Sequence, residues 1–398
     1  MMGRPKASLP EDQPSRRQFL YAGLQIAAAL PSCFPRPAAA RSDRGGREPF
    51  FKTRGVVLAT PDLSTLDWPS RVAQAGLTTI ATHVTPSEVS RFVRTDKGRE
   101  FLAQCQERGI EVEHELHAMS DLLPRDLFEK DPSMYRMNEQ GQRSPDCNCC
   151  VHSPKAVEMV CENVLKYAGI LRPTTGRYFF WMDDGRPMCQ CPRCRAYSDS
   201  EQALILENEM LRALRKVDAR ATLAHLTYAR TMAAPVQVKP ASGVFLEFAP
   251  IGRTWSEPIG RREAQQGQHG RYLDLLDSNL EVFGRDNAQV LEYWLDVSLF
   301  SSWKREAKKR LPWRREVFLQ DVGTYANRGI RHITSFAVYV DADYVRRYGE
   351  PPLDEYGEGL RNFEPQNAPI QAVPEAAPTR GAADPRRPSA FSSCPRSS

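Results

Sequence analysis

The chain has 398 residues, of which 41% are hydrophobic and 26% charged, proportions that exclude a chain disordered throughout. The formal net charge is +5, and much of the excess arginine lies near the two ends, as at Arg16, Arg17, Arg386 and Arg387. Basic patches interleaved with aromatic residues do not occur between those ends, so we predict no binding of nucleic acid.

The first 40 residues have the organisation of an export signal. Residues 15–20 read Ser-Arg-Arg-Gln-Phe-Leu, and a short apolar run follows as far as Leu30. This run is too short to span a bilayer, and small residues suited to cleavage follow at positions 38–40. We therefore predict a twin-arginine signal peptide over residues 1–40, recognised by the twin-arginine translocation machinery, and a periplasmic or secreted protein. Cys33 follows a small residue, as in a lipoprotein cleavage site, which leaves a lipid anchor at Cys33 open.

After a linker predicted over residues 41–52, short apolar runs alternate with longer amphipathic segments. The runs predicted to be strands are residues 55–59, 77–83, 110–116, 177–183, 221–227, 244–249, 290–296 and 332–339. The segments with the clearest helical spacing are residues 86–108, 154–168, 198–217, 270–283 and 313–328. Strands that alternate with helices indicate an α/β fold with a parallel sheet.

The number of strand–helix units favours a closed sheet. Eight units over residues 53–362 predict a (β/α)8 TIM-type barrel, and no transmembrane run interrupts them. A Gly-rich phosphate loop does not follow the first strand, which argues against a dinucleotide-binding fold. The connection over residues 119–154 is long and rich in Pro and Cys, so a functional loop is expected there. Residues 363–398 are dominated by Pro, Ala, Arg and Ser and are predicted to be a disordered tail.

Polar residues that could carry chemistry lie at the predicted carboxyl ends of the strands, where barrel active sites form. In the seventh strand, period-two alternation predicts that Glu292, Trp294 and Asp296 share the interior face. In the sixth strand, Glu247 lies on the face opposite Val244, Leu246 and Phe248, which also predicts an interior carboxylate. Ionised carboxylates are seldom buried without a partner, so these groups indicate a ligand, a cation or a function.

A pair of carboxyl groups suits glycoside hydrolysis, which needs an acid and a nucleophile or base about 5 Å apart in retaining enzymes and about 6.5 to 9.5 Å apart in inverting ones. The predicted catalytic residues are Asp183 or Asp184 as the acid and Glu292 as the nucleophile or base. The alternatives are a strand-ending turn at Asp183 and Asp184, and a structural ion pair between Glu292 or Asp296 and an arginine.

Aromatic and polar residues near the same strand ends are the predicted substrate-binding residues. Flat aromatic rings could contact sugar faces, and Arg253 could pair with the carboxylate of an acidic sugar. The predicted set is His83, His114, Trp181, His225, Tyr228, Glu247, Arg253, Trp255, Tyr293, Trp294, Asp296 and Tyr339. Taken singly, each histidine is as readily a structural residue, and each tryptophan a core residue.

A group of cysteines flanks the fourth strand. Cys189, Cys191 and Cys194 form a C-x-C-x-x-C run, and the loop before the strand adds three more cysteines. This spacing predicts a structural zinc site with Cys149, Cys189, Cys191 and Cys194 as ligands. Disulfides in an oxidising periplasm and a redox-active thiol pair remain as alternatives.

The residues around the fourth, sixth and seventh strands together resemble a bacterial family called domain of unknown function 4838. The motifs that carry the resemblance are Phe180-Trp181-Met182-Asp183-Asp184 with the cysteine run behind it, Glu247-Phe248-Ala249-Pro250-Ile251, and Glu292-Tyr293-Trp294-Leu295-Asp296. The resemblance spans about residues 169–339. It implies a barrel of the glycoside-hydrolase type, similar to α-glucuronidases, in a protein that acts on carbohydrate.

These observations predict an exported glycoside hydrolase that acts on a polysaccharide or oligosaccharide, including one that contains uronic acid. No cofactor is expected for the hydrolysis itself. One alternative is a barrel that binds carbohydrate without catalysis. Another is a metal-dependent sugar isomerase or epimerase, in which His83, His114, Glu247 and Glu292 would surround a divalent cation.

Overall fold

The structure is a computed structural model that describes residues 48–365. The predicted signal peptide over residues 1–40, Cys33 and most of the linker and tail lie outside the described residues. Within residues 48–365, no helix is both long enough and apolar enough to cross a membrane.

The core of the protein is a closed barrel of parallel strands. Each strand pairs with the next along the chain, and the last pairs with the first. The strands are β1 Thr53–Ala59, β2 Thr79–His83, β3 Glu111–His117, β4 Arg177–Trp181, β5 Thr222–Thr227, β6 Val244–Phe248, β7 Gln289–Glu292 and β8 His332–Phe336. The predicted α/β class and (β/α)8 TIM-type barrel are confirmed.

Helices surround the barrel and connect consecutive strands. They are α1 Thr60–Leu63, α2 Trp68–Gln74, α3 Pro86–Val93, α4 Asp96–Glu107, α5 Met119–Leu122, α6 Pro154–Ile170, α7 Asp199–Leu214, α8 Ala264–Phe283, α9 Val297–Phe300, α10 Arg315–Ala326, α11 Ala342–Tyr348 and α12 Leu353–Arg361. The helix predicted over residues 86–108 is two helices, because Thr95 caps a new one: its hydroxyl accepts from the Gly98 N–H at 3.0 Å.

Alternate residues of each strand enter different packing layers. In β1, Val56 and Leu58 pack against the helices, whereas Val57 and Ala59 pack inside the barrel. The upper part of the barrel interior, towards the carboxyl ends of the strands, is apolar. Its members include Phe179, Trp181, Phe245, Ala249, Leu291, Tyr293, Phe336 and Val338.

The lower part of the interior is polar. Arg177 lies 3.3 Å from a carboxylate oxygen of Glu113 and donates to Gln289 at 2.7 Å. The Gln289 amide donates to Glu115 and to Glu247, each at 3.1 Å. One guanidinium therefore lies among three buried carboxyl groups, and burial raises the pKa of Glu247 to about 8 and that of Glu115 well above its ordinary value.

Candidate active site

A cavity of about 430 Å³ opens at the carboxyl ends of the strands. This volume lies within the usual range for a small-molecule site. The acidic residues that line it are Glu88, Asp184 and Asp296, and its aromatic and histidine residues are His83, His117, Trp181, Tyr228, Tyr293, Trp303, Phe336 and Tyr339. Side chains from most of the strand ends thus meet at the position where barrel enzymes carry out their chemistry.

Asp296 reaches the cavity from the turn that follows β7. It is the N-cap residue of α9, and its Oδ1 accepts from the backbone N–H of Ser298 at 2.9 Å and from the Ser298 hydroxyl at 2.6 Å. The residue is only 4% exposed, and burial raises its pKa to about 6 in spite of these hydrogen bonds. Asp296 therefore holds a proton at mildly acidic pH.

Asp184 approaches the same cavity from the end of β4 and is exposed to solvent. It contacts the hydroxyl of Tyr228, whose pKa is raised by burial and by the nearby Asp184 carboxylate. Tyr293 lines the same cavity as the two aspartates. Burial is the main cause of its raised pKa, and Asp296 and Asp184 both add to it. The two aspartates thus act on one tyrosine from different strand ends.

His83 and Trp181 form the floor of the cavity. The His83 ring lies 5.8 Å from the Trp181 ring, and its Nδ1 donates to the Glu115 carbonyl at 2.6 Å. Burial lowers the pKa of His83 to about 3, so its imidazole is neutral. The Trp181 indole donates to Glu247 at 2.7 Å, which fixes the ring above the polar lower interior.

The rim of the cavity includes residues in strained backbone conformations. Trp303 and Tyr339 have φ of 58° and 68°, in the left-handed region that bulky residues rarely adopt. Their conformations are linked, because the Tyr339 hydroxyl donates to the Trp303 carbonyl at 3.1 Å. Arg305 lies over the Tyr339 ring at 4.2 Å and donates to Asp62 at 2.6 Å and to Asp341 at 3.0 Å. Strain held by such contacts is typical of a binding site.

Asp183, the neighbour of Asp184, does not line this cavity. Its carboxylate accepts from Arg125 and from the backbone N–H of Asn148, both at 2.5 Å. In return, the Asp183 N–H donates to the Asn148 side chain at 2.9 Å. Asp183 therefore fastens the loop after β4 to the loop after β3, and of the two predicted acids only Asp184 reaches the cavity.

Glu292 faces the helices, so the prediction that it lies on the interior face of the seventh strand is wrong. Its Oε1 accepts from Arg253 at 2.8 Å and from the Tyr325 hydroxyl at 2.5 Å, and the side chain is fully buried. Arg253 also pairs with Asp321 of α10 at 2.7 Å and is likewise inaccessible from the cavity. The residues of this segment that pack inside the barrel are Leu291 and Tyr293, on either side of Glu292 in the sequence.

Several predicted substrate-binding residues also lie outside the cavity. Trp294 packs between β7 and the helices, 5.1 Å from the Phe318 ring, and Trp255 packs behind Tyr293. In the helical layer, the His225 Nδ1 donates to the Glu207 carboxylate at 2.6 Å, and its Nε2 is hydrogen-bonded to the Ser200 hydroxyl at 3.0 Å. Two more predicted substrate-binding residues also lie outside the cavity. His114 is hydrogen-bonded to the Thr82 hydroxyl, and Glu247 lies beneath Trp181 and accepts from its indole. The predicted residues that do line the cavity are His83, Trp181, Tyr228, Tyr293, Asp296 and Tyr339.

The cavity is also lined by Glu88, His117, Trp303 and Arg305, which the predicted set of site residues does not include. Trp303 and Arg305 lie in the polar segment after α9, far beyond the last residue of β7, so strand alternation carries no information about them. The available signal was a tryptophan within the polar run of residues 301–310, and the structure leaves its side chain 63% exposed.

The cysteine group lies beside the active site, between the loops after β3 and β4. The structure brings together Cys150, Cys189, Cys191 and Cys194, whose sulfur atoms all lie within 4.8 Å of one another. The prediction of Cys149 as the fourth member is wrong, because the sulfur atom that lies with the other three belongs to its neighbour Cys150. Within residues 48–365 this is the set that could hold a metal ion, and His83, His114, Glu247 and Glu292 do not converge.

Comparison with known protein families finds a match over more than half of the chain. The sequence matches the family described as "Domain of unknown function (DUF4838)" over residues 60–293. A search of curated proteins finds no match.

Similar solved structures include a glycoside hydrolase family 5 enzyme from Prevotella bryantii B14, with 9% identity, a TM-score of 0.46, and coverage of 78% of this chain and 96% of that one. The group II chitinase catalytic domain 2 of Ostrinia furnacalis has 10% identity, a TM-score of 0.46, and coverage of 79% and 98%. A chitinase from Rhizomucor miehei has 10% identity, a TM-score of 0.44, and coverage of 77% and 99%.

Proposed function

The chain belongs to the family described as domain of unknown function (DUF4838), and we propose that it is a glycoside hydrolase acting on an oligosaccharide or polysaccharide. The observation that supports this proposal is a single cavity lined by Asp184 and Asp296, from the ends of β4 and β7, together with several aromatic rings. Two carboxyl groups around one cavity are the groups that hydrolysis of a glycosidic bond needs.

We assign the role of general acid to Asp296. Its raised pKa, about 6, leaves it protonated in mildly acidic solution, as a group that donates a proton must be. The proton passes to the glycosidic oxygen as the bond between that oxygen and the anomeric carbon breaks. As this bond breaks, Asp184, at the solvent-exposed side of the cavity, either takes a proton from the water that attacks the anomeric carbon or bonds to that carbon itself. In the second case the Asp296 carboxylate takes a proton from the water that displaces Asp184.

The other lining residues favour an uncharged sugar in the cavity. Tyr228, Tyr293, Trp303 and Tyr339 offer rings with polar edges, which suits a ligand that has apolar faces and hydroxyl groups. Arg305 already pairs with two carboxylates, and Arg253, on which the uronic-acid prediction depended, is enclosed by Glu292 and Asp321. We therefore expect neutral glycosides to be better substrates than glucuronides.

The test is hydrolysis of a panel of glycans and aryl glycosides, with glucuronides included. Asp184→Asn and Asp296→Asn should each lower kcat/KM by at least about 100-fold, which is the usual contribution of an acid or base group. Glu292→Gln is the matched control, because it removes the charge of a buried carboxylate that lies outside the cavity.

Turnover that is lost in both aspartate variants and retained in Glu292→Gln, measured per folded molecule, supports the proposal. Loss in Glu292→Gln with retention in both aspartate variants would contradict the proposal and indicate that Glu292 is the carboxylate on which turnover depends. If the panel binds but no member is cleaved, the protein is a carbohydrate-binding barrel and the proposed activity is refuted.

We also propose export by the twin-arginine pathway, on the basis of the paired Arg16 and Arg17 ahead of an apolar run. Changing both arginines to lysine should retain the protein in the cytoplasm, whereas the unchanged chain should be found beyond the inner membrane. Equal export of the two forms would contradict this proposal.

A further inference from the structure

We infer that Cys150, Cys189, Cys191 and Cys194 bind one zinc ion through their four thiolates. The four residues are buried, and they come from two loops that are separated along the chain by α6 and β4. Neither the family match nor the proposed hydrolysis assigns a role to them. The inference is independent of the hydrolytic activity, since it concerns a separate group of side chains beside the cavity.

The distances between the sulfur atoms match a tetrahedral site for a single ion. The Cys150 sulfur lies 3.8 Å from those of Cys191 and Cys194. Four sulfurs placed about 2.3 Å from a central zinc ion at tetrahedral angles are about 3.8 Å apart. A disulfide would require about 2.05 Å, and none of the cysteines within residues 48–365 is disulfide-bonded. An iron–sulfur cluster inserts several metal atoms between its ligands and would require wider separations.

Hydrogen-bond donors and a positive charge surround the four sulfur atoms. A metal site that carries excess negative charge needs such groups around it. Four thiolates and one Zn²⁺ carry a net charge of −2, and outer hydrogen bonds stabilise such a site. The Met137 N–H donates to the Cys189 sulfur at 3.3 Å, and the His152 Nδ1 lies 3.2 Å from the Cys194 sulfur. The Arg143 guanidinium approaches the Cys150 sulfur and brings a positive charge.

Neighbouring cysteines show what a purely structural thiol looks like in this chain. Cys149 and Cys105 are also fully buried, but neither belongs to the group of four whose sulfur atoms lie within 4.8 Å of one another. Burial alone therefore does not require thiols in this chain to converge. The convergence of Cys150 and the C-x-C-x-x-C run on one point instead indicates a common ligand.

The ion would join the loop after β3 to the loop after β4, next to the link that Asp183 makes with Arg125 and Asn148. Loss of the ion should therefore loosen the segment that carries Asp184 and lower the thermal stability of the whole protein. Binding to the folded state alone stabilises that state by mass action.

The test is elemental analysis of the full chain purified without chelators, with Cys150→Ser and its matched control Cys149→Ser. About one zinc per chain is expected in the unchanged protein and in Cys149→Ser, and at least a tenfold lower content in Cys150→Ser. A strong chelator should lower the Tm of the unchanged protein and of Cys149→Ser, and added zinc should restore it.

Replacement of the ion by Co²⁺ in the unchanged protein gives a second measurement, which stands even if Cys150→Ser does not fold. Visible bands of tetrahedral cobalt with sulfur-to-cobalt charge transfer are expected. The inference is overturned if the protein contains no zinc and yields no such bands, if it contains iron instead, or if mass spectrometry finds disulfides among these four cysteines.

Discussion

Asp296 combines two opposing influences on one carboxyl group. Burial raises its pKa, whereas the hydroxyl and the N–H of Ser298 stabilise the ionised form and lower it. The balance leaves the pKa at about 6, where the group can donate its proton during catalysis and recover it from solvent. Because the acid must be protonated, kcat/KM should fall as the pH rises through about 6.

Ser298→Ala tests this balance directly. Removal of the hydroxyl, which donates to Asp296 at 2.6 Å, takes away a hydrogen bond that favours the carboxylate, so the pKa should rise. We expect the descending limb of the pH profile of kcat/KM to move to higher pH by about one unit, the size expected for one hydrogen bond to a charged group. Ser301→Ala is the control, because the Ser301 hydroxyl accepts from the Lys309 N–H instead. A limb that stays in place in Ser298→Ala would show that another group sets it.

At the level of the elements, Arg253 holds three parts of the barrel together. It lies on the loop after β6, and its two carboxylate partners are Glu292 at the end of β7 and Asp321 on α10. Asp321 in turn accepts from the Trp294 indole at 3.0 Å and from the Ile259 N–H at 2.6 Å. All three charged side chains are buried, so the network depends on the central cation.

Arg253→Gln should lower the free energy of unfolding by about 3 to 5 kcal/mol, because two buried carboxylates lose their counter-charge. Arg261→Gln on the same loop should change it by no more than about 0.5 kcal/mol, since the ion pairs of Arg261 with Glu257 and Glu263 are exposed. Urea denaturation of both variants measures the difference. Similar small losses in the two variants would mean that the buried network contributes little.

The strand pattern predicted most of the elements but not the orientation of β7. Alternation in β6 correctly predicted Glu247 inside the barrel, where it meets Trp181 and Gln289. In β7 the same pattern gave the wrong face for Glu292, because a buried arginine in the helical layer, Arg253, donates to its carboxylate there. The strand also ends at Glu292. Asp296 reaches the cavity through a turn, so its position does not follow from strand periodicity. A single sequence shows which residues are polar, but not where their partners lie.

Over the whole molecule, the fold was predictable because each strand and helix has a local pattern, whereas the cavity depends on loops whose course is set by tertiary contacts. Trp303 and Arg305, for example, reach the rim through contacts with Tyr339, Asp62 and Asp341. The choice between Cys149 and Cys150 likewise depends on which of two adjacent side chains faces the other loop. Such choices are made in three dimensions, between residues far apart in the sequence.

The polar lower interior makes stability depend on pH. Glu247 has a pKa of about 8 in the folded protein, against an ordinary value of 4.5, so the folded state binds more protons between these limits. The contribution of Glu247 to the free energy of unfolding should therefore be largest below about pH 4.5 and should decrease as the pH rises to about 8.

Glu247→Gln should flatten this dependence, because the amide stays neutral at every pH and can still accept from the Trp181 indole. We expect the decrease in the free energy of unfolding between pH 5 and pH 8 to be smaller by at least about 1 kcal/mol in the variant. Chemical denaturation at several pH values measures it, with the surface variant Glu209→Gln as the control. Equal pH dependence in all three proteins would mean that Glu247 is ionised at neutral pH.

The most direct test of the account as a whole compares leaving groups in Asp296→Ala. An acid is needed to protonate a poor leaving group, such as the sugar hydroxyl of a natural glycan, but not a dinitrophenolate, which leaves unaided. With Asp296 as the acid, Asp296→Ala should lose at least about 100-fold in kcat/KM on the glycan and far less on the dinitrophenyl glycoside of the same sugar. Equal losses on both substrates, or no loss on either, would contradict the assignment of Asp296 as the acid of a glycoside hydrolase.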